Sequence, residues 1–197
     1  MAILIPPDGP GQGGQGEIAG YDPVARAVHW GVAGLAVVVV ALGLAIPGAP
    51  RETGSRELLL LLHRSVGLVI LALMVFRASW RLTHPAPPLP AGFPRIEALA
   101  AHADHAFLYL LFLVMPLSGY LNAAAAGHWV SFFGLFPIPP LVPENARLSQ
   151  AATAVHLTGQ FLIYALVGVH VAAALMHAIV RRNGILERML PLRRRAS

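Results

Sequence analysis

Four histidines, His29, His63, His156 and His170, sit inside or just within the ends of long apolar segments. An ionisable or metal-binding side chain is costly inside a bilayer, so each is a candidate functional group. His156 and His170 share one segment and lie fourteen residues apart. In an α-helix that is nearly four turns, which puts both side chains on almost the same side, about 21 Å apart along the axis. One helix then offers an imidazole at each of two depths, an arrangement that suits two stacked cofactors better than one site. Zinc catalysis calls for three protein ligands at one depth, and a proton or metal transporter calls for a carboxylate at mid-membrane. No Asp or Glu occurs in residues 28–46, 58–76, 106–126 or 155–180, so neither is expected.

The elements that must carry these histidines are membrane spans. Of 197 residues, 56% are hydrophobic and only 12% charged, and the mean hydropathy is +0.65. Several apolar runs approach or exceed the roughly 20 residues that cross a bilayer. The net charge of +5 comes from arginines that flank apolar segments, a topology signal rather than a nucleic-acid patch. Cysteine is absent. That excludes disulfides, thiolate metal sites and covalent C-x-x-C-H haem attachment, so any metal or cofactor is held by histidine, carboxylate or backbone and any haem is non-covalent.

Four spans are expected. The first opens at Asp22-Pro23, an N-cap followed by proline at the first helical position, and stops at Pro47-Gly48. The second covers about residues 58–80 and ends before the proline cluster Pro85, Pro87, Pro88 and Pro90. The third runs over about residues 103–126, with a kink expected at Pro116. The fourth, with Ser149 as candidate cap, is apolar over residues 154–180 and stops near Asn183-Gly184. Residues 1–20 read as a disordered Gly/Gln/Pro-rich tail, 21–191 as the membrane domain and 192–197 as a basic C-terminal tail. The apolar loop of residues 127–150 is expected to lie on the outer membrane face as a short interfacial segment. With the N-terminus inside, ten arginines (Arg26, Arg77, Arg81, Arg95, Arg181, Arg182, Arg188, Arg193, Arg194, Arg195) face the cytoplasm and four (Arg51, Arg56, Arg64, Arg147) face outward. The positive-inside rule therefore predicts an all-α membrane protein, a four-transmembrane-helix bundle with both termini cytoplasmic.

This topology sorts the histidines by depth. His29 begins span one on the inner side, and His63 begins span two on the outer side. Span four runs inward, so His156 is outer and His170 inner. The expected pairs are His29 with His170 and His63 with His156, one imidazole for each face of a porphyrin. Small residues follow three of the ligands: Ala33 after His29, Gly67 after His63 and Gly159 after His156. They either admit a flat macrocycle or are ordinary small-residue helix packing. Arg77 lies fourteen residues after His63, on its face and at inner depth; it is either a propionate partner or a side chain snorkelling to the interface. His102 and His105, with Asp104 between them, open span three, where they either move protons and line a quinone site or form a solvated helix start. His177, two turns beyond His170, is a candidate to hydrogen-bond a quinone. His84 and His128 fall in loops and receive no role.

At these residues the chain resembles the bacterial di-haem cytochrome b561 family. The matching stretches are Val28-His29-Trp30, Leu62-His63-Arg64-Ser65-Val66-Gly67, Arg77 with Arg81, and Ala101-His102 through Tyr109-Leu110-Leu111-Phe112. Pro116-Leu117-Ser118-Gly119, His156, and Val169-His170 through Met176-His177 and on to Pro191 complete them, over about residues 20–191. The resemblance implies two haems b, His29 and His170 ligating one and His63 and His156 the other, the pairing already obtained from depth. It also implies quinone-linked electron transfer in a bacterial inner membrane, with superoxide oxidised at the periplasmic face and ubiquinone reduced. The alternative is a cytochrome b subunit that passes electrons from a hydrogenase or dehydrogenase to quinone. The expected partners are the lipid bilayer, quinone, and superoxide or another outer-face donor, with no nucleic acid.

Overall fold

The structure is a computed structural model describing residues 20–50, 54–90 and 92–190. The expected tails, 1–20 (apart from Gly20) and 192–197, lie outside the described residues. Four helices dominate: α1 (Pro23–Ala45), α2 (Gly54–Thr83), α3 (Arg95–Ala125) and α4 (Ala146–Leu175). Each is long and apolar enough to cross a membrane.

Helix α1 starts as its sequence dictates. Asp22 Oδ1 accepts from the Ala25 N–H at 2.9 Å and Pro23 occupies the first turn. A further bond from Trp80 Nε1 reaches the same oxygen. Burial works to raise the Asp22 carboxyl, but these hydrogen bonds outweigh it and hold the group below its usual 3.8. A 3-10 turn, Ile46–Gly48, closes the span. Helix α3 begins at Arg95, eight residues before the expected start, and continues through Pro116 without interruption. Ser149 is not the cap of α4. Asn145 takes that role through Oδ1 and the Leu148 N–H, while Ser149 Oγ bonds the Asn122 carbonyl. A π-helical turn, Met176–Arg181, extends α4, the kind of irregularity that accompanies functional sites.

Chain neighbours pack: α1 on α2, α2 on α3, and α3 on α4. The core is Val32, Val66, Ile70 and Met74, flanked by Val28, Leu35, Tyr109 and Phe112. Among the described residues no Cα of α4 comes within 8 Å of one on α1 or α2. The first and fourth spans are also the least buried, at 6% of their most apolar windows against 22% and 17% for the others. The bundle is therefore open along the seam between α4 and the α1–α2 pair, a seam crossed only by side chains.

The loop after α3 is more ordered than an interfacial segment. It forms an antiparallel hairpin, β1 (Val130–Phe132) with β2 (Phe136–Ile138), in the register Val130↔Ile138. The turn uses Phe133 and Gly134 at positive φ. Ser65 on α2 is fully buried beneath it. Its hydroxyl accepts from Phe133 N–H at 2.8 Å and donates to Leu61 and Ser131 carbonyls. Trp129, Leu135 and Phe136 remain exposed, as an apolar edge lying in a membrane interface would be. At the opposite end, Arg188 donates to the Pro87 and Pro88 carbonyls, Tyr21 N–H to Arg188 O, and Trp30 Nε1 to Met189 O. Tyr21, the 188–189 segment and the proline-rich link thus meet at one end of the bundle.

Candidate functional site

The four span histidines meet across the open seam as their depths predict. His29 of α1 and His170 of α4 have ring centroids 6.2 Å apart; His63 of α2 and His156 of α4 have theirs 6.0 Å apart. Two imidazoles bonded to opposite faces of one metal at about 2.0–2.1 Å per bond place their centroids a little over about 6 Å apart. Both pairs therefore fit a shared iron, in a seam where backbones stay apart and only side chains approach.

His63 and His156 are seated by the same device. His63 Nδ1 donates to the Val39 carbonyl at 3.0 Å, and a Cβ placed on Gly43, one turn on, would lie 3.1 Å from His63 Cε1. His156 Nδ1 donates to the Met115 carbonyl at 2.9 Å, and a Cβ on Gly119 would lie 3.2 Å from its Cε1. In each case a glycine four residues after the acceptor opens a notch that lets the ring reach the backbone. With Nδ1 carrying the proton, Nε2 keeps its lone pair for a metal. Ser118 Oγ adds a contact to His156 Nδ1 at 3.1 Å.

His29 and His170 are held by charged groups. His170 Nδ1 donates to Asp104 Oδ2 at 2.9 Å, and the Asp104 side chain is only 13% exposed. The His105 ring packs edge-on to His170 at 5.2 Å. Asp104, His105 and His170 each bring a ligand atom within 4.8 Å of the others. Of the two readings of this helix start, the solvated one does not hold for the Asp104 carboxylate, whereas the residue His105 is exposed. With α3 beginning at Arg95, both lie more than two turns inside it. On the other side, Arg77 NH1 donates to the Ala25 carbonyl at 2.9 Å and NH2 lies 3.4 Å from His29 Nδ1. Its guanidinium also faces the Tyr109 ring. A guanidinium only donates, so when His29 carries its proton on Nδ1, NH2 is left for another acceptor.

The small residues singled out in the sequence serve helix packing. Gly67 faces Pro116, and a Cβ on Gly159 would collide with Met115 Sδ. The residues that admit the ligand rings are Gly43 and Gly119, which sequence reading passed over because each lies on a different helix from the histidine it serves. His177 is buried, with Nδ1 on Asn183 at 3.0 Å and Nε2 toward Glu97 at 3.9 Å. Glu97 also pairs with Arg181. His102 is exposed, its Nδ1 bonded to the Ala98 carbonyl of its own helix.

A family model described as prokaryotic cytochrome b561 matches residues 20–192. The cytochrome b561 homolog 2 of Escherichia coli (strain K12) is 33% identical over 171 residues, covering 86% of this chain and 90% of that protein. A protein of Yersinia pestis described as probable superoxide oxidase CybB is 33% identical over 177 residues, covering 88% and 97%. The cytochrome b561 homolog 1 of Escherichia coli (strain K12) is 28% identical over 168 residues, covering 85% and 94%.

Proposed function

The chain belongs to the prokaryotic cytochrome b561 family, multi-pass inner-membrane electron-transfer proteins that hold haem b by histidine, and we propose that it oxidises superoxide at the periplasmic face and reduces ubiquinone. The observation that carries the reading is the doubled imidazole pair at iron-bridging separation, two depths on one helix. His29 with His170 and His63 with His156 would each hold one haem, with both termini on the cytoplasmic side. Bound there, haem b supplies a one-electron carrier.

The chain's own residues do the rest. By holding each iron through two histidines, the chain would keep dioxygen and superoxide off the metal, so transfer would be outer-sphere. The Nδ1 bonds of His63 and His156 fix tautomer and ring orientation, so the ligands need no rearrangement as charge changes. Arg56, Arg64 and Arg147 give the outer end a positive field for an anionic donor. Arg64 directly follows His63 and is half-buried, while Arg56 is engaged with the Ile46 carbonyl. Arg77 NH2, facing His29, would hold a propionate of the inner haem. In balance, two superoxide anions become two dioxygen molecules while ubiquinone takes up two electrons and two protons to become ubiquinol. His102, exposed on α3, is the better placed of the two candidates to deliver those protons. His177 is engaged by Asn183 and Glu97 and shapes the end of α4 instead. The Yersinia pestis relative, described as a probable superoxide oxidase and matched over 97% of its length, supports superoxide as donor.

Haem quantification on the purified chain should give two haems b, and His63→Ala and His156→Ala should each remove the same one. A superoxide pulse should reduce the protein rapidly, with ubiquinone then reoxidising it. No reduction by the pulse would turn the assignment toward a cytochrome b subunit fed by a partner dehydrogenase.

A further inference from the structure

The two imidazole pairs differ in what receives their Nδ1 protons. His63 and His156 donate to neutral backbone carbonyls, of Val39 and Met115. His170 donates to the carboxylate of Asp104. That carboxylate belongs to α3, as does Glu97, which faces His177 and Arg181 instead, and the second oxygen of Asp104, Oδ1, is buried with no hydrogen-bond partner among the described residues. No lysine or arginine pairs with Asp104 among the described contacts. Its neighbours are His170 and His105, while the Arg77 guanidinium sits by His29. The charge on Asp104 therefore falls mainly on the His170 imidazole.

A hydrogen bond from a ligating imidazole to a carboxylate gives the ring partial imidazolate character and makes it a stronger donor to the metal than a bond to an amide does. Stronger donation favours ferric over ferrous iron, and a nearby anion acts in the same direction. We infer that Asp104 is a positioning residue that acts through His170 to lower the reduction potential of the inner haem, so that the two sites are unequal by construction. The inference rests on the assignment of His29 and His170 to one haem. The inner site thereby becomes the stronger reductant, which suits it to deliver electrons to an acceptor on its own side.

The test is a redox titration of both haems at fixed pH in the full-length, haem-loaded protein, comparing wild type with Asp104→Asn. Asparagine keeps an acceptor oxygen but removes the charge. The reduction equilibrium of the inner haem should shift at least tenfold toward ferrous, which is 59 mV for a one-electron couple, and the outer haem should not move. Asp104→Glu should restore most of the wild-type value. An unchanged inner midpoint in a fully loaded Asp104→Asn protein overturns the inference. Where that variant loads poorly, the wild type provides the second measurement. Near-infrared magnetic circular dichroism reports axial-ligand donor strength, and the two haems should give distinct bands; one shared band overturns the inference. Chelator treatment separates a cation held by Asp104, His105 and His170 from a plain hydrogen bond. A midpoint that moves with chelator as far as with Asp104→Asn overturns the inference in favour of the cation. His29→Ala and His170→Ala are run in parallel. If they remove different haems, the ligand assignment itself has failed, whatever Asp104 does.

Discussion

Gly119 offers the sharpest test of how the outer histidines are seated. In Gly119→Ala the new Cβ would stand 3.2 Å from His156 Cε1 and 3.4 Å from Nδ1, closer than ordinary packing. The ring has little room to retreat, because Nδ1 is tied to the Met115 carbonyl at 2.9 Å and, in the proposed ligand scheme, Nε2 would be held by iron. Overpacking of this kind costs about 1–3 kcal/mol. Displacing the ring also weakens a hydrogen bond of about 0.5–1.5 kcal/mol. Alanine returns up to about 1 kcal/mol of helix propensity over glycine. The net loss is about 1–3 kcal/mol, or roughly 10–100-fold weaker retention of the outer haem at about 1.4 kcal/mol per tenfold. The assay is haem content and the reduced-minus-oxidised spectrum during dilution into haem-free detergent, with Gly31→Ala as control. Gly31 has nothing within 4 Å of its would-be Cβ, so the control should keep both haems. A Gly119→Ala protein that retains the outer haem as firmly as the control refutes the notch argument. The same result for Gly43→Ala, whose Cβ would stand 3.1 Å from His63 Cε1, would remove its basis altogether.

Further predictions concern the two ends of the bundle. Ser65→Ala leaves the Phe133 N–H without its acceptor beneath the hairpin; it should destabilise by about 1–3 kcal/mol and speed amide exchange across residues 130–138, measured by hydrogen-exchange mass spectrometry. Arg188→Ala removes the guanidinium that joins Pro87, Pro88 and Tyr21. It should lower the melting temperature and open the 84–90 link to protease, and Arg188→Lys should rescue little because one ammonium cannot reproduce the fork. The Asp22 carboxyl is held below its usual 3.8, so its contribution is present above that value and lost as pH falls through the lower, folded one. Asp22→Asn, which still caps the helix, should flatten that acid-side loss in thermal melts between pH 2 and about 5, with little change at neutral pH. Arg64→Gln should slow reduction by a superoxide pulse and weaken its ionic-strength dependence while haem content stays constant, read by stopped-flow absorbance.

Much of this was legible in one dimension because a bilayer punishes the wrong residue severely. Span number, the limits of α1 and the histidine pairing all follow from where apolar runs begin and end, and from a periodicity that needs no knowledge of neighbours. Asp22-Pro23 announces its helix because capping is local. The start of α3 was not legible, because residues 95–102 mix charged and apolar side chains in a pattern that packing, not hydropathy, resolves. That error of two turns hid Asp104, which from residue 103 looks like a surface group and from Arg95 lies inside the bundle.

By itself, then, the sequence determined that four spans exist, since hydrophobic length is a property of each segment alone, and helical rise gave the two histidine depths on which the proposed ligand pairs rest. Tertiary structure decided what surrounds those imidazoles. The glycine notches of Gly43 and Gly119, the carbonyls of Val39 and Met115 and the carboxylate of Asp104 come from helices other than those of the histidines they serve. Which carbonyl or carboxylate lies opposite a ring depends on the rotation and rise of one helix against another, set by all the packed contacts together.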